Sequence, residues 1–318
     1  MRRILSIVAS CLLLGSFAFA HPEDLHALAI NPHNWRGAWS WEPGIVIPLA
    51  LSAILYAIGS YRSRRRNSQR PAIKGWQLAS FWAGWIVLFL ALDSPLHKLG
   101  EVLFSAHMSQ HELLMVVAAP LLVFSKPLVA MLFAFPESWR AKIGAATKSP
   151  TFQTAWLAIT GPLFVWLLHG ITIWVWHIPF LYEATLDNEF IHALQHTCFL
   201  GTALLFWWTL VHGRYGKLGY GIAFVYVFTT ALHTSLLGAL MTFTQKVWYP
   251  IYDGRTGPWN LSPIEDQQLG GLIMWIPSGV VFVVVGLAMF AAWMGESERR
   301  QQLSRLADFV NAEAPHAD

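Results

Sequence analysis

Apolar residues fall into seven long runs that are separated by short polar segments. A helix needs ~20 residues to cross a hydrocarbon core of ~30 Å, and each run is long enough to do so. The pattern therefore predicts an all-α fold, a polytopic membrane helical bundle with seven transmembrane helices. The predicted spans are residues 44–61, 76–94, 102–124, 152–176, 190–212, 221–243 and 268–294.

Three features interrupt this pattern. Pro120 in the third run and Pro277 in the seventh each remove a backbone N–H, so each is expected to kink its helix or end its regular hydrogen bonding. The segment 128–136 is apolar but too short to span, and we expect it to lie at the membrane interface or to extend the third helix. No internal repeat is visible, so one bundle over residues 44–295 is the simplest interpretation.

The polar segments between the runs alternate in charge. Fifteen Lys and Arg residues lie in segments 62–74, 126–148, 213–218 and 296–318, whereas four lie in segments 21–43, 93–101, 177–189 and 244–267. Loops rich in Lys and Arg stay on the cytoplasmic side of a membrane. This rule predicts that the N-terminus of the mature chain is outside and that the C-terminal tail, residues 296–318, is in the cytoplasm.

The first twenty residues are typical of a signal peptide. They begin with two arginines, continue with an apolar stretch, and carry Ala18 and Ala20 at the positions that a signal peptidase reads. We expect cleavage before His21, which makes residues 21–43 a periplasmic N-terminal segment. Retention as an uncleaved anchor and lipidation at Cys11 are the alternatives, and each leaves residue 21 on the outer side.

Composition supports a membrane protein and excludes one class of partner. Hydrophobic residues make up 55% of the 318 and charged residues 12%, with a mean hydropathy of +0.45, whereas soluble domains carry about 25% charged residues. The formal net charge is only +3, in short basic clusters, which argues against nucleic acid. After cleavage Cys198 is the only cysteine, so a bound metal would rely on histidine, methionine or carboxylate ligands.

Two HxxxH pairs carry the chemistry that the sequence suggests. His107 and His111 lie in the motif HMSQHELL of the third run, and His192 and His196 lie in the fifth. Residues at i and i+4 share one face of a helix. With the predicted orientation, both pairs lie one and two turns below the outer surface, so the sequence predicts that they converge on one ion.

Other residues extend this candidate site. Neutral imidazole binds copper, zinc or iron, while nearby thioethers favour Cu(I), which makes copper the expected metal. A carboxylate inside a membrane usually pairs or has a function. The full set of candidate metal ligands is His107, His111, His192, His196, His177, Glu112, Met108 and His233. The alternative interpretation is a polar network that holds helices together, and a lone histidine such as His233 is more commonly a packing residue.

Three sequence blocks in order resemble a known family. They are HMSQHELLMVVAAPLLVFSKPL, WHIPFLYEATLDNEFIHALQHTCFLGTALLFWW and DQQLGGLIMWIP. They are similar to the CtaG family of assembly factors for caa-type cytochrome c oxidases, and the likeness covers roughly residues 40–295. The resemblance implies a non-catalytic, multi-pass protein of the bacterial plasma (inner) membrane that helps to make active haem–copper oxidase. Its implied partners are cytochrome c oxidase subunits and periplasmic copper donors, with Cu(I) as the cargo.

The resemblance can be carried over residue by residue. The matching positions are His107, His111 and Pro120 in the first block, His177, Pro179, Tyr182, His192, His196, Trp207 and Trp208 in the second, and Asp266, Gln267, Gly271, Met274 and Trp275 in the third. One position departs from the expected pattern. Gln195 stands where an acidic residue is expected just before His196, which argues against a carboxylate that orients His196.

Other functions stay open on the sequence alone. Histidines from two helices could bind haem b in a membrane electron carrier, although a second layer of histidine pairs across the bilayer is missing. A metal-free assembly scaffold is a further alternative, and a homo-oligomer is compatible with the sequence. A hydrolase is disfavoured because the chain lacks the motifs GxSxG and HExxH and any nucleotide-binding loop.

Overall fold

A computed structural model describes residues 30–66, 69, 71–212 and 219–313, with side chains described up to residue 306. Within these ranges the chain is helical and contains no strand. The predicted signal peptide, residues 1–20, lies outside the described residues. The same is true of the start of the predicted periplasmic segment.

The helices are numbered here in chain order within the described ranges. They are α1 Pro43–Arg66, α2 Gly75–Asp93, α3 Pro95–Leu99, α4 Phe104–Phe124, α5 Pro127–Leu132, α6 Glu137–Thr147, α7 Pro150–Ile159, α8 Pro162–Trp176, α9 Pro179–Asp187, α10 Glu189–His212, α11 Tyr220–Phe243 and α12 Pro263–Glu313. Short 3-10 turns occur at Trp35–Gly37, Pro250–Tyr252 and Gly257–Trp259.

The prediction of a polytopic membrane bundle is confirmed. Among the described residues, six helices are long and apolar enough to cross a membrane, and the pair α7 and α8 makes up to seven. Large apolar side chains such as Ile54, Leu232 and Val284 point outward and are more than half exposed, as lipid contact requires. Which end of the bundle faces the cytoplasm stays a prediction.

The fourth span is broken rather than continuous. The prediction of one helix over 152–176 was wrong, because α7 and α8 meet at an angle of 50°. Pro162 has no N–H and disfavours a helical residue before it, and Gly161 accordingly adopts an extended conformation, with φ −62° and ψ 134°. The freed carbonyl of Thr160 accepts a hydrogen bond from Thr209 Oγ1 at 3.4 Å.

Helix α4 is the central helix of the bundle. In its most apolar window 67% of the residues are buried, against 22% in α1. It contains a π-helical turn at Leu113–Ala118, where the Ala119 N–H reaches the carbonyl five residues earlier. The Met115 carbonyl therefore loses its α-helical donor, and Pro120 has no N–H to replace it. Trp207 Nε1 of α10 donates to this carbonyl at 2.8 Å. The distortion expected at Pro120 is thus present and joins α4 to α10.

The other expected interruptions have different outcomes. Helix α4 ends because Lys126 adopts a left-handed conformation, with φ 51°, before Pro127. The short helix α5 then packs on α1, where a Cβ on Gly59 would lie 1.9 Å from the Ala130 carbonyl oxygen. The segment 128–136 therefore does not extend the third helix. Pro277 does not end α12, which is 51 residues long and continues to Glu313.

We expect Trp207→Phe to destabilise the protein by about 1–3 kcal/mol, because it leaves the buried Met115 carbonyl without a donor. Trp208→Phe is the matched control, since Trp208 lies next to Trp207 on α10 but is only partly buried. Thermal unfolding in detergent measures both variants. Equal losses in the two would show that the hydrogen bond to the π turn is unimportant.

Candidate metal centre

Five buried histidines meet at one end of the bundle, which we call the histidine end. His97 belongs to α3, His107 and His111 to α4, and His192 and His196 to α10. Together they are called the histidine cluster. The most exposed of them is His192, at 8%. This end is the one that the charge pattern predicts to face outward.

The two HxxxH pairs lie against each other. Ring centroids within each pair are 4.4 Å apart. Across the helices, His107 lies 5.2 Å from His192, and His111 lies 5.4 Å from His196. The i, i+4 spacing thus places four imidazoles in one compact group between α4 and α10.

Two sets of three histidines could each hold an ion. The inner triad is His107, His111 and His196, and the outer triad is His97, His192 and His196. Within each triad, one ring nitrogen per residue lies within 4.8 Å of the others. Nitrogens that share a metal at bond lengths of about 2.0–2.1 Å lie closer than this, so small ring rotations would complete either site.

Several ring nitrogens of the cluster are buried without a hydrogen-bond partner among the described residues. They are Nδ1 of His107, both nitrogens of His111, and Nε2 of His192 and of His196. Buried polar atoms in native proteins are almost always paired, so an unpaired group of this size needs an explanation. Lone pairs that converge on a cation provide one.

Gln195 sets the orientation of one ring. Its Oε1 lies 3.1 Å from His107 Nε2. An amide oxygen only accepts, so this contact favours the tautomer with the proton on Nε2 and the lone pair on Nδ1, one of the unpaired nitrogens. The neighbour in sequence is His196, but the side chain crosses to α4 and contacts His107.

His97 is the member that sequence reasoning missed. Helix α2 ends at Asp93 before Pro95, and the short helix α3 follows. This helix places His97 beside α10, where its ring centroid lies 5.1 Å from that of His192. Its Nδ1 faces Gln110 Nε2 at 3.1 Å. The available signal was position alone, since His97 lies at the same predicted end as the two pairs.

Charged groups surround the outer side of His97. Glu42 Oε1 lies 3.6 Å from His97 Nε2 and 3.9 Å from Lys98 Nζ. Contact with His97 lowers the pKa of the Glu42 carboxyl, so this group is anionic at neutral pH. Although burial opposes its charge, the Glu101 carboxylate raises the pKa of Lys98. The outer side of the cluster therefore has the Glu42 carboxyl group beside His97 and the Lys98 ammonium group next to both.

One further candidate lies beside the cluster. His177 ends α8, and its ring centroid is 6.3 Å from that of His111. Its Nδ1 donates to the Ile173 carbonyl at 2.7 Å, and its Nε2 is buried without a partner among the described residues. His177 therefore borders the inner triad but does not belong to either set of three.

The structure does not bring three of the candidate ligands to the cluster. Met108 packs on α12, because a Cβ added to Gly270 of that helix would lie 3.2 Å from Cγ of Met108. Glu112 lines a separate cavity of about 20 Å³ with His169. His233 lies against Trp166 of α8. Residues adjacent in a helix point about 100° apart, which explains why neighbours of His107 and His111 face elsewhere.

A carboxylate from α12 determines where α4 begins. Asp266 Oδ2 accepts from the Phe104 N–H at 2.6 Å, and Oδ1 accepts from the Ser105 N–H at 3.2 Å and from Ser105 Oγ at 2.5 Å. The first N–H groups of a helix have no internal partner and carry partial positive charge. Asp266 therefore sets the depth at which His107 and His111 enter the bundle.

Three tyrosines connect the loop after α11 to the histidine end by hydrogen bonds. Tyr182 donates to the Tyr252 hydroxyl at 2.8 Å, and Tyr252 donates to the Gly100 carbonyl at 2.9 Å. Tyr249 donates to the His177 carbonyl at 2.9 Å. Burial raises the pKa of all three phenols, so they stay protonated and act as donors. These bonds hold the loop against Gly100 and His177 at the histidine end.

Comparisons with known proteins identify a family. A family model described as cytochrome c oxidase caa3 assembly factor (Caa3_CtaG) matches residues 54–296. Uncharacterized proteins of Mycobacterium bovis and Mycobacterium tuberculosis are each 27% identical over 272 residues, which is 82% of this chain and 40% of theirs. A Mycobacterium leprae protein is 24% identical over the same shares. The chain thus spans about two fifths of these curated relatives. No solved structure matches it.

We expect Asp266→Ala to destabilise the protein by at least about 2 kcal/mol, because it leaves two buried N–H groups at the start of α4 unpaired. Asp253→Ala is the control, since Asp253 is exposed in the loop beside the same end. Thermal unfolding in detergent reports both. A loss from Asp266→Ala no larger than that of the control would contradict the capping role.

Proposed function

The chain belongs to the family of cytochrome c oxidase caa3 assembly factors, and from this premise we propose that it holds copper for the oxidase at the histidine cluster. It does so as a multi-pass protein of the bacterial plasma membrane, without catalytic turnover. The inner triad of His107, His111 and His196 is the observation that carries the proposal, because three buried nitrogens lie within 4.8 Å of one another.

The chemistry of the donors supports Cu(I) as the cargo. All three ligands are neutral imidazoles, which suit copper and zinc. The site is buried and has no carboxylate among its ligands, so it does not offset the charge of the ion. Because the cost of burying an ion grows with the square of its charge, a monovalent ion is favoured over Zn²⁺.

The same geometry disfavours the alternatives. Haem b needs two imidazoles on opposite faces of a flat macrocycle. In the cluster the rings contact one another directly, with centroids 4.4 Å apart within each pair, and this leaves no slot between them. A scaffold without metal would not explain the buried, unpaired nitrogens of His111.

Each part of the chain has a distinct task in this proposal. The imidazoles bind the ion, Gln195 holds the lone pair of His107 on Nδ1, and Asp266 positions α4. The loop after α11, which the three tyrosines hold in place, shields the bound ion from water. In the predicted orientation, the histidine end faces the periplasm. Copper donors and an oxidase subunit would reach it there.

We expect purified protein loaded with Cu(I) to retain copper through dialysis against a chelator, and the double variant His107→Ala, His111→Ala to lose it. His233→Ala is the matched control, since this intramembrane histidine lies outside the cluster and should not affect retention. Elemental analysis gives copper per chain. Full retention by the double variant would refute the proposed site.

We expect Gln195→Leu to weaken Cu(I) binding by about 10–100-fold, because His107 loses the partner that fixes its tautomer. Gln195→Glu should bind at least as well as the wild type, since a carboxylate accepts the same Nε2 proton. Competition with a chromogenic Cu(I) chelator measures both affinities. Unchanged affinity in Gln195→Leu would show that the contact has no orienting role.

A further inference from the structure

We propose that the histidine cluster forms two successive stations for one Cu(I) ion, the outer triad and the inner triad, joined by the shared ligand His196. The inference rests on the proposed copper-holding function and adds a path within it. It also assigns a role to His97, which lies in the outer triad with its ring centroid 6.2 Å from that of His196.

The two triads lie at different depths in the bundle. His192 lies one helical turn before His196 on α10, and His107 one turn before His111 on α4, so each pair extends about 6 Å along its helix. His97 lies on α3, at the surface end of the bundle. The outer triad is therefore nearer the histidine end, and the inner triad lies deeper.

The two stations share a ligand. His196 belongs to both sets, so two ions cannot each have three histidines at once. An ion can instead keep His196 while it exchanges His97 and His192 for His107 and His111. The ring centroids of His192 and His107 are only 5.2 Å apart. The ion is therefore never without a ligand during the move.

The two triads differ in the contacts that their histidines already make. In the outer triad, His97 already has polar contacts at both ring nitrogens, to Gln110 and to Glu42. In the inner triad, both nitrogens of His111 are buried without a partner among the described residues. Binding at His97 replaces existing contacts, whereas binding at His111 relieves an unpaired group. The inner station should therefore bind more tightly.

We expect the Cu(I) ion to bind first at the outer station. The Glu42 carboxyl oxygen Oε1 lies 3.6 Å from His97 Nε2, so an ion that approaches the outer triad meets an oxygen atom beside it. A partly exposed carboxylate acts mainly on the rate of association rather than on affinity. His97 is thus expected to control how fast copper enters and His111 how tightly it is held.

The test uses the full-length protein in detergent and Cu(I) with a chromogenic chelator. It measures copper per chain, affinity and the rate of uptake. We expect one Cu(I) per wild-type chain. We expect His97→Ala to slow uptake at least about tenfold with affinity nearly unchanged, and His111→Ala to weaken affinity at least about tenfold. His196→Gln removes a ligand from both stations and should have both defects.

His233→Ala should match the wild type in all three measurements, and thermal unfolding checks that each variant is folded. Two Cu(I) per wild-type chain, or unchanged uptake in His97→Ala, would overturn the two-station path while leaving copper holding intact. A wild-type chain that binds no Cu(I) would overturn the proposed function as well.

Discussion

The burial of several imidazoles whose nitrogens have no hydrogen-bond partner among the described residues is the constraint on which the rest of this structure depends. Unpaired polar atoms are expensive inside a membrane protein, because lipid cannot form hydrogen bonds with them. In the proposed account, a bound cation removes this cost. Its five members come from α3, α4 and α10, so the three helices must meet at one end with little freedom.

Backbone chemistry supplies that rigidity. The π turn before Pro120 leaves the Met115 carbonyl free, and Trp207 binds it, so the two helices with HxxxH pairs are joined below the cluster. Above it, Asp266 caps α4 from α12. The histidines are thus held from both sides by contacts that involve no histidine, and the positions of Trp207 and Asp266 in the family motifs acquire a structural reason.

Much of the fold could be predicted from the sequence because each determinant is local. Apolar runs define spans, and i, i+4 spacing places His107 with His111 and His192 with His196. The break at Gly161 has a local cause too, but the length of the apolar run concealed it. His97, Met108 and Glu112 could not be assigned in this way, since their roles depend on which helix faces each side of α4. Gln195 shows the same limit, because its partner is His107, 88 residues away.

The copper account predicts a particular ligand sphere, and X-ray absorption at the copper edge of protein loaded with one Cu(I) tests it most directly. Coordination by nitrogen alone, at about 2.0–2.1 Å, is the expected spectrum. The imidazole signature should weaken in His196→Gln, because this variant leaves two of the three imidazoles in each triad. A sulfur shell at about 2.3 Å, or a spectrum that His196→Gln leaves unchanged, would contradict the account.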